Sequence, residues 1–199
     1  MTERSVVELD RAAVEATVEL LRKATNEDWA RPTPCGTWTL AELVAHLTVQ
    51  HDGFALASEG AAGDLAVWQP VPAEEPFAAY EEAAARVIAA FAVPGVLERE
   101  FLLPEISPEI RFPAPRAIGF HYLDYVVHAW DVARTLDVPV PLGSDVIDPV
   151  LPIAKQVPDD ERRLQPAAAF KPPVSDNGST DVLDQILALL GRDPGWKAP

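Results

Sequence analysis

Long stretches in which apolar residues return every three or four positions alternate with stretches rich in proline. The first amphipathic stretch follows Ser5-Val-Val-Glu8. That tetrapeptide has the form of a capping box: a hydroxyl, and a carboxylate three residues on, satisfy backbone donors that a helix start leaves unpaired. Leu9, Ala12, Ala13, Ala16, Val18, Leu20 and Leu21 supply the apolar side of a helix expected from about Val6 to Lys23. Thr39-Leu-Ala-Glu42 opens a second helix in the same way and carries it to about Ser58. A third is expected over roughly Phe77 to Phe91, ending before Pro94-Gly95, and a fourth over about Ala117 to Leu136. Leu97–Leu103 reads as extended, with Ile110–Phe112 as its partner. A short helix near Ser144–Lys155 and a last one near Asp181–Leu190, stopped at Gly191, complete the reading. The 20 prolines concentrate at 32–34, 70–76, 104–115, 139–158 and 172–173, between the long helices. Four long helices in order predict a mainly α chain. The expected organisation is a helical bundle over 1–140 and a small, irregular C-terminal extension over 141–199 packed on its outside.

The fourth helix carries the most informative pattern. Ile118, Phe120, Leu123, Tyr125, Val126, Val127, Trp130 and Val132 surround it on most sides, the mark of a buried helix. His121, Asp124, His128, Asp131 and Thr135 nevertheless fall within one arc of roughly 80°. Two readings follow. The stripe is a narrow solvent face, the commoner origin of a polar arc, or it faces a polar site inside the bundle. It contains no Lys, Glu or Gln, which favours the second reading. Asp124 and His128, four residues apart, lie about 6 Å from one another along the axis and suit a single ion. His121 and His128 are separated by about 10.5 Å along the axis, a strained reach for one ion. On the second helix, Leu40, Leu43, Val44, Leu47 and Phe54 form the apolar arc. His51 projects near its middle and His46 on its flank, so periodicity favours His51 as the buried imidazole. Patterning leaves open which of the two, if either, joins a site, since a buried His taken alone is more often satisfied by a hydrogen bond.

Composition narrows the chemistry. The chain has 199 residues and a formal charge of −15, with 16 basic residues against 31 acidic ones. That balance argues against nucleic acid and against an anionic membrane surface. No apolar run is long enough for a bilayer span, and the N-terminus lacks the pattern of a secretory signal, so a cytoplasmic location is expected. The one cysteine, Cys35, excludes an internal disulfide and a zinc site built from several thiolates. Any metal must be held mainly by His and carboxylate.

Pro34-Cys35-Gly36-Thr37-Trp38, followed by Leu40, Leu43 and His46, reads P-C-x-x-W-x-L-x-x-L-x-x-H. This resembles a signature of mycothiol-dependent maleylpyruvate isomerase-like proteins, members of the DinB-like superfamily of metal-binding four-helix bundles. Asp124-Tyr-Val-Val-His128-Ala-Trp130-Asp131 resembles the second signature, carboxylate-x-x-x-His-x-Trp-Asp. Ile186–Leu190 followed by Gly-Arg-Asp-Pro-Gly-Trp196 is similar to the ending of an uncharacterised actinobacterial subgroup. The resemblance spans nearly the whole chain and implies a divalent-metal site, with zinc the expected metal, formed by His46, Asp124 and His128. It selects His46 over His51. It also marks a departure: Asp124 stands where the isomerase has Glu, one methylene shorter.

Two His and a carboxylate leave a coordination position open, the pattern of a catalytic rather than a structural zinc site. The resemblance implies a thiol, mycothiol or a relative, acting with the metal on a small electrophile. The expected function is therefore a metal-dependent thiol transferase or isomerase. The alternatives are a non-catalytic metal-binding, sensor or interaction protein, and a bundle that has lost its metal. Cys35 precedes a helix N-terminus, a place where thiols are activated, but reads first as a small buried residue. Trp38 and Trp130 read as core aromatics. Asp131 either orients His128 or bonds to backbone. Arg86, Arg162 and Arg163 either offer charges for an anionic substrate or are solvated surface charges, and no role is assigned to them.

Overall fold

Both capping boxes form in the computed structural model, which describes residues 4–61, 63–165 and 168–198. The Ser5 amide donates to Glu8 Oε2 at 2.7 Å, and the Glu8 amide donates back to Ser5 Oγ at 3.3 Å. Thr39 and Glu42 repeat the exchange at 2.8 and 3.3 Å. These caps fix the starts of α1 (Val6–Leu21) and α2 (Leu40–Ser58). Pro76 opens α3 (Pro76–Phe91), where its missing N–H costs nothing. A two-stranded antiparallel ribbon follows, β1 (Glu100–Leu102) against β2 (Arg111–Pro113), with Phe101 opposite Phe112. The long α4 (Ala114–Leu136) begins three residues earlier than its apolar pattern suggests, because Pro115 is accommodated in its first turn. The expected helix over 144–155 is divided into α5 (Ser144–Ile147) and α6 (Leu151–Ala154) by a single tighter turn at Asp148–Val150. The last helix, α7 (Val182–Leu189), ends at Gly191, whose φ of 78° is the left-handed stop expected there.

The fold is a mainly α four-helix bundle, α1 packed chiefly on α4 and α2 on α3. One core cluster joins Leu20, Leu43, Leu47, Val126 and Trp130 to Val150, Ile186 and Leu190, so the C-terminal segment shares the apolar interior of α1, α2 and α4. A second cluster around Phe54, Trp68, Phe91 and Phe101 closes the end of the bundle that the β-ribbon covers. The C-terminal segment is knotted by Arg163. This residue is buried rather than solvated, and its guanidinium donates to the carbonyls of Pro158, Leu189, Val157 and Lys171 at 2.7 to 3.2 Å. Four acceptors make the buried cation tolerable. Arg162, its neighbour, is exposed and paired with Asp160. Among the described residues, no helix is long and apolar enough to cross a membrane.

Candidate metal centre

The polar stripe of α4 is not a solvent face. His121, His128, Asp131 and Thr135 are all buried, and Asp124 alone is partly exposed, its side chain at 22 %. The stripe divides into two sites, because seven residues of helix separate His121 from His128.

At the N-terminal end of the stripe lies a buried relay. His121 Nδ1 lies 2.6 Å from Asp10 Oδ1 of α1, and its Nε2 lies 3.1 Å from His51 Nδ1 of α2. Phe54, Phe91 and Tyr125 enclose the rings, and Tyr125 lies flat on His51 at 4.2 Å. His51 is thus the fully buried imidazole that periodicity favoured, and burial holds its pKa well below the usual histidine range. His51 and His121 bond to each other, and His121 to Asp10, rather than joining the cluster further along α4. Asp10 carried no signal in the sequence beyond its place beside Leu9 on the apolar side of α1.

At the other end, His46, Asp124 and His128 converge, one ligand atom of each lying within 4.8 Å of the other two. Asp124 Oδ1 is 3.3 Å from His128 Nε2, and the His46 and His128 rings meet edge-on at 5.8 Å. The shorter Asp side chain therefore reaches the other two residues. Among the described residues, His46 makes no side-chain hydrogen bond, although burial and the charge on His128 lower its pKa to about 4. It is a neutral imidazole with free lone-pair capacity, which is what a metal ligand requires. Burial opposes charge on Asp124, but the His128 and His46 imidazoles more than offset this and hold its carboxyl below the usual range. Against burial, Asp124 and Asp131 hold His128 protonated well above the usual histidine range. A cation entering here would displace that proton.

Behind His128 stands a support that the sequence only hinted at. His128 Nδ1 lies 2.9 Å from Asp131 Oδ2, which settles the role of Asp131 in favour of orienting His128. Asp131 is wholly buried, accepts from Cys35 Sγ at 3.0 Å and pairs with Arg192 Nε at 3.1 Å. Burial would raise its pKa, but Arg192 and His128 hold it at about 2. Cys35, His128 and Asp131 form a second possible ligand set. Its chemistry fits a cation less well, since the Arg192 guanidinium lies 3.4 Å from Cys35 Sγ. The thiol is pushed up by burial and by Asp131, so it is a hydrogen-bond donor rather than an activated nucleophile. Arg192 was missed because it lies 61 residues from Asp131 in sequence, on the far side of the proline-rich segment.

Trp38 corrects another expectation. It is 37 % exposed rather than a core aromatic, and its ring leans on His46 at 5.1 Å. Trp130, by contrast, is buried as expected. With Ala41, Glu42, Ala45, Pro70 and Pro72, Trp38 also lines an open cleft of about 300 Å³, and none of the three converging residues lines it. From the turn after β1, Glu105 accepts from Gln50 at 2.7 Å. Burial raises the pKa of its carboxyl, and the nearby Asp124 charge adds to this.

The chain belongs to the mycothiol maleylpyruvate isomerase N-terminal domain family, whose model matches residues 11–133. It is 28 % identical over 188 residues to uncharacterised proteins from two strains of Mycobacterium tuberculosis, covering 90 % of this chain and 93 % of theirs. Crystal structures of the mycothiol-dependent maleylpyruvate isomerase, one of them a histidine-to-alanine mutant, share the fold. Their TM-scores are 0.57 for the mutant and 0.56 for the other, at 13 and 14 % identity, covering 96 % of this chain and 80 % of theirs.

Proposed function

We propose that this protein is a divalent-metal-dependent thiol transferase or isomerase, with zinc as the metal, mycothiol or a related thiol as co-substrate and a small electrophile as substrate. His46, Asp124 and His128 hold the metal. The observation that carries this reading is the convergence of those three side chains with His128 Nδ1 turned away toward Asp131, which leaves Nε2 for a ligand role. When bound, a metal at such a site lowers the pKa of a thiol or water presented to it.

The chain's own residues supply the rest. Asp131 holds the proton on His128 Nδ1 and so sets the ring's orientation. Trp38, which leans on His46 and also lines the proline-rich cleft, gives an apolar surface against which a small molecule is desolvated. Family membership supports a thiol as the partner.

Isothermal titration of mycothiol into the zinc-loaded protein tests the proposal. Saturable binding is expected, followed by turnover in a screen of small electrophiles. No heat at millimolar thiol, with zinc in place, overturns the thiol assignment. Zinc binding without any thiol binding would instead favour a sensor or interaction role.

A further inference from the structure

We propose that Arg192 is a positioning residue that fixes His128 through Asp131 and thereby couples metal affinity to docking of the C-terminal segment. This rests on the reading of His46, Asp124 and His128 as metal ligands.

The coupling is carried by a continuous set of contacts. For His128 Nε2 to be a ligand, Nδ1 must carry the proton and must have an acceptor. Asp131 Oδ2 is that acceptor at 2.9 Å. A carboxylate with no exposure at all is stable as an anion only where cations or donors surround it. Arg192 provides most of that compensation, its Nε lying 3.1 and 3.4 Å from the two oxygens and a terminal nitrogen 3.3 Å from Oδ2. Cys35 adds one thiol donor. The guanidinium is itself buried, so neither partner has water to fall back on.

The position of Arg192 is set by the end of α7. Ile186, Leu187 and Leu190 seat the helix in the same core as Val126 and Trp130. Gly191 then turns the chain at φ 78°, and the Arg192 amide donates to Leu187 O at 2.9 Å. A Cβ at Gly191 would lie 2.6 Å from Lys171 O, so the turn admits no side chain. Arg134 adds a tether at 3.4 Å to Pro194 O. Docked, the segment delivers the guanidinium to Asp131. Undocked, Asp131 loses the guanidinium that holds its carboxylate in place, and His128 loses its fixed orientation. By linkage, whatever the docked segment contributes to metal affinity, bound metal returns to docking.

Three measurements on the full chain test this. Zinc affinity, read by competition with a chromophoric chelator, should weaken by about 10- to 100-fold in Arg192→Gln, the usual effect of losing a partner behind a metal ligand. Arg192→Lys, which keeps the charge but not the planar fork, should fall between the two. In the unsubstituted protein, zinc should slow amide exchange across residues 182–198. In the metal-free protein, the imidazole Nδ1–H resonance of His128 should be present and should shift or vanish in Arg192→Gln, a change that a loss of general stability does not produce. Zinc affinity indifferent to Arg192, or exchange across 182–198 unmoved by zinc, overturns the coupling while leaving the metal reading intact. A chain that takes up no zinc overturns the metal reading and the coupling with it. If Arg192→Gln does not fold, Arg192→Lys and the exchange experiment decide.

Discussion

Replacing Asp131 with Asn keeps the shape of the side chain and removes its charge. All three of its side-chain partners point donors at it: His128 Nδ1 at 2.9 Å, Cys35 Sγ at 3.0 Å and Arg192 Nε at 3.1 Å. An amide offers one oxygen to these donors and must aim its own NH2 at another of them. Arg192 is then a buried cation without its counterion. Breaking a buried ion pair from one side costs about 3–5 kcal/mol. In a chain of this size each kcal/mol lowers the melting temperature by about 2–4 °C, so a fall of about 6 to 20 °C is expected. Thermal denaturation of the metal-free protein followed by circular dichroism reads it. Adding Arg192→Met to Asp131→Asn should recover part of the loss, because the stranded charge is gone. A single-variant decrease of under about 2 °C would show that Asp131 and Arg192 do not form a stabilising pair, and the reasoning would fail.

Other consequences follow from the same groups. His46 has a folded pKa lowered to about 4, so the stability linked to its neutral form is present above about pH 6.5 and lost as pH falls toward about 4. The loss from this group is on the order of 3 kcal/mol, and His46→Gln should flatten that acid limb in urea titrations run at successive pH values. His121→Phe fits a pocket already lined by Phe54 and Phe91 but strands Asp10 in the core. Urea denaturation should show a loss of about 3–5 kcal/mol for the single change, mostly recovered on adding Asp10→Leu. Gly53→Ala would place a Cβ 2.6 Å from the Trp68 ring, so it should destabilise by about 1–3 kcal/mol in the same assay in spite of the better helix former.

The parts of this molecule written in short-range pattern were legible in its sequence. The caps at Ser5 and Thr39, the stop at Gly191 and the burial of His51 all depend on neighbours within a turn or two. The α4 stripe announced an interior polar site because its residues are the wrong kind for water. Where contacts join distant segments, the sequence was silent. Asp10 finds His121 across 111 residues, and Arg192 finds Asp131 across 61. No periodicity marks a charged residue whose partner lies on another element, which is why Arg163 also read as a surface cation. Trp38 was misjudged for a related reason: aromatic character favours burial, but the cleft it lines with Pro70 and Pro72 leaves its ring partly open. The choice of His46 over His51 came from the resemblance, since the apolar arc of α2 pointed the other way.

The central claim is that His46, Asp124 and His128 form one metal site, and metal content tests it most directly. Purified protein should take up one equivalent of zinc per chain, with a proton released as His128 gives up its Nε2 hydrogen. His46→Ala, Asp124→Ala and His128→Ala should each lose most of that zinc, while His51→Ala, if folded, should keep it. Full zinc content in the first three variants would contradict the assignment.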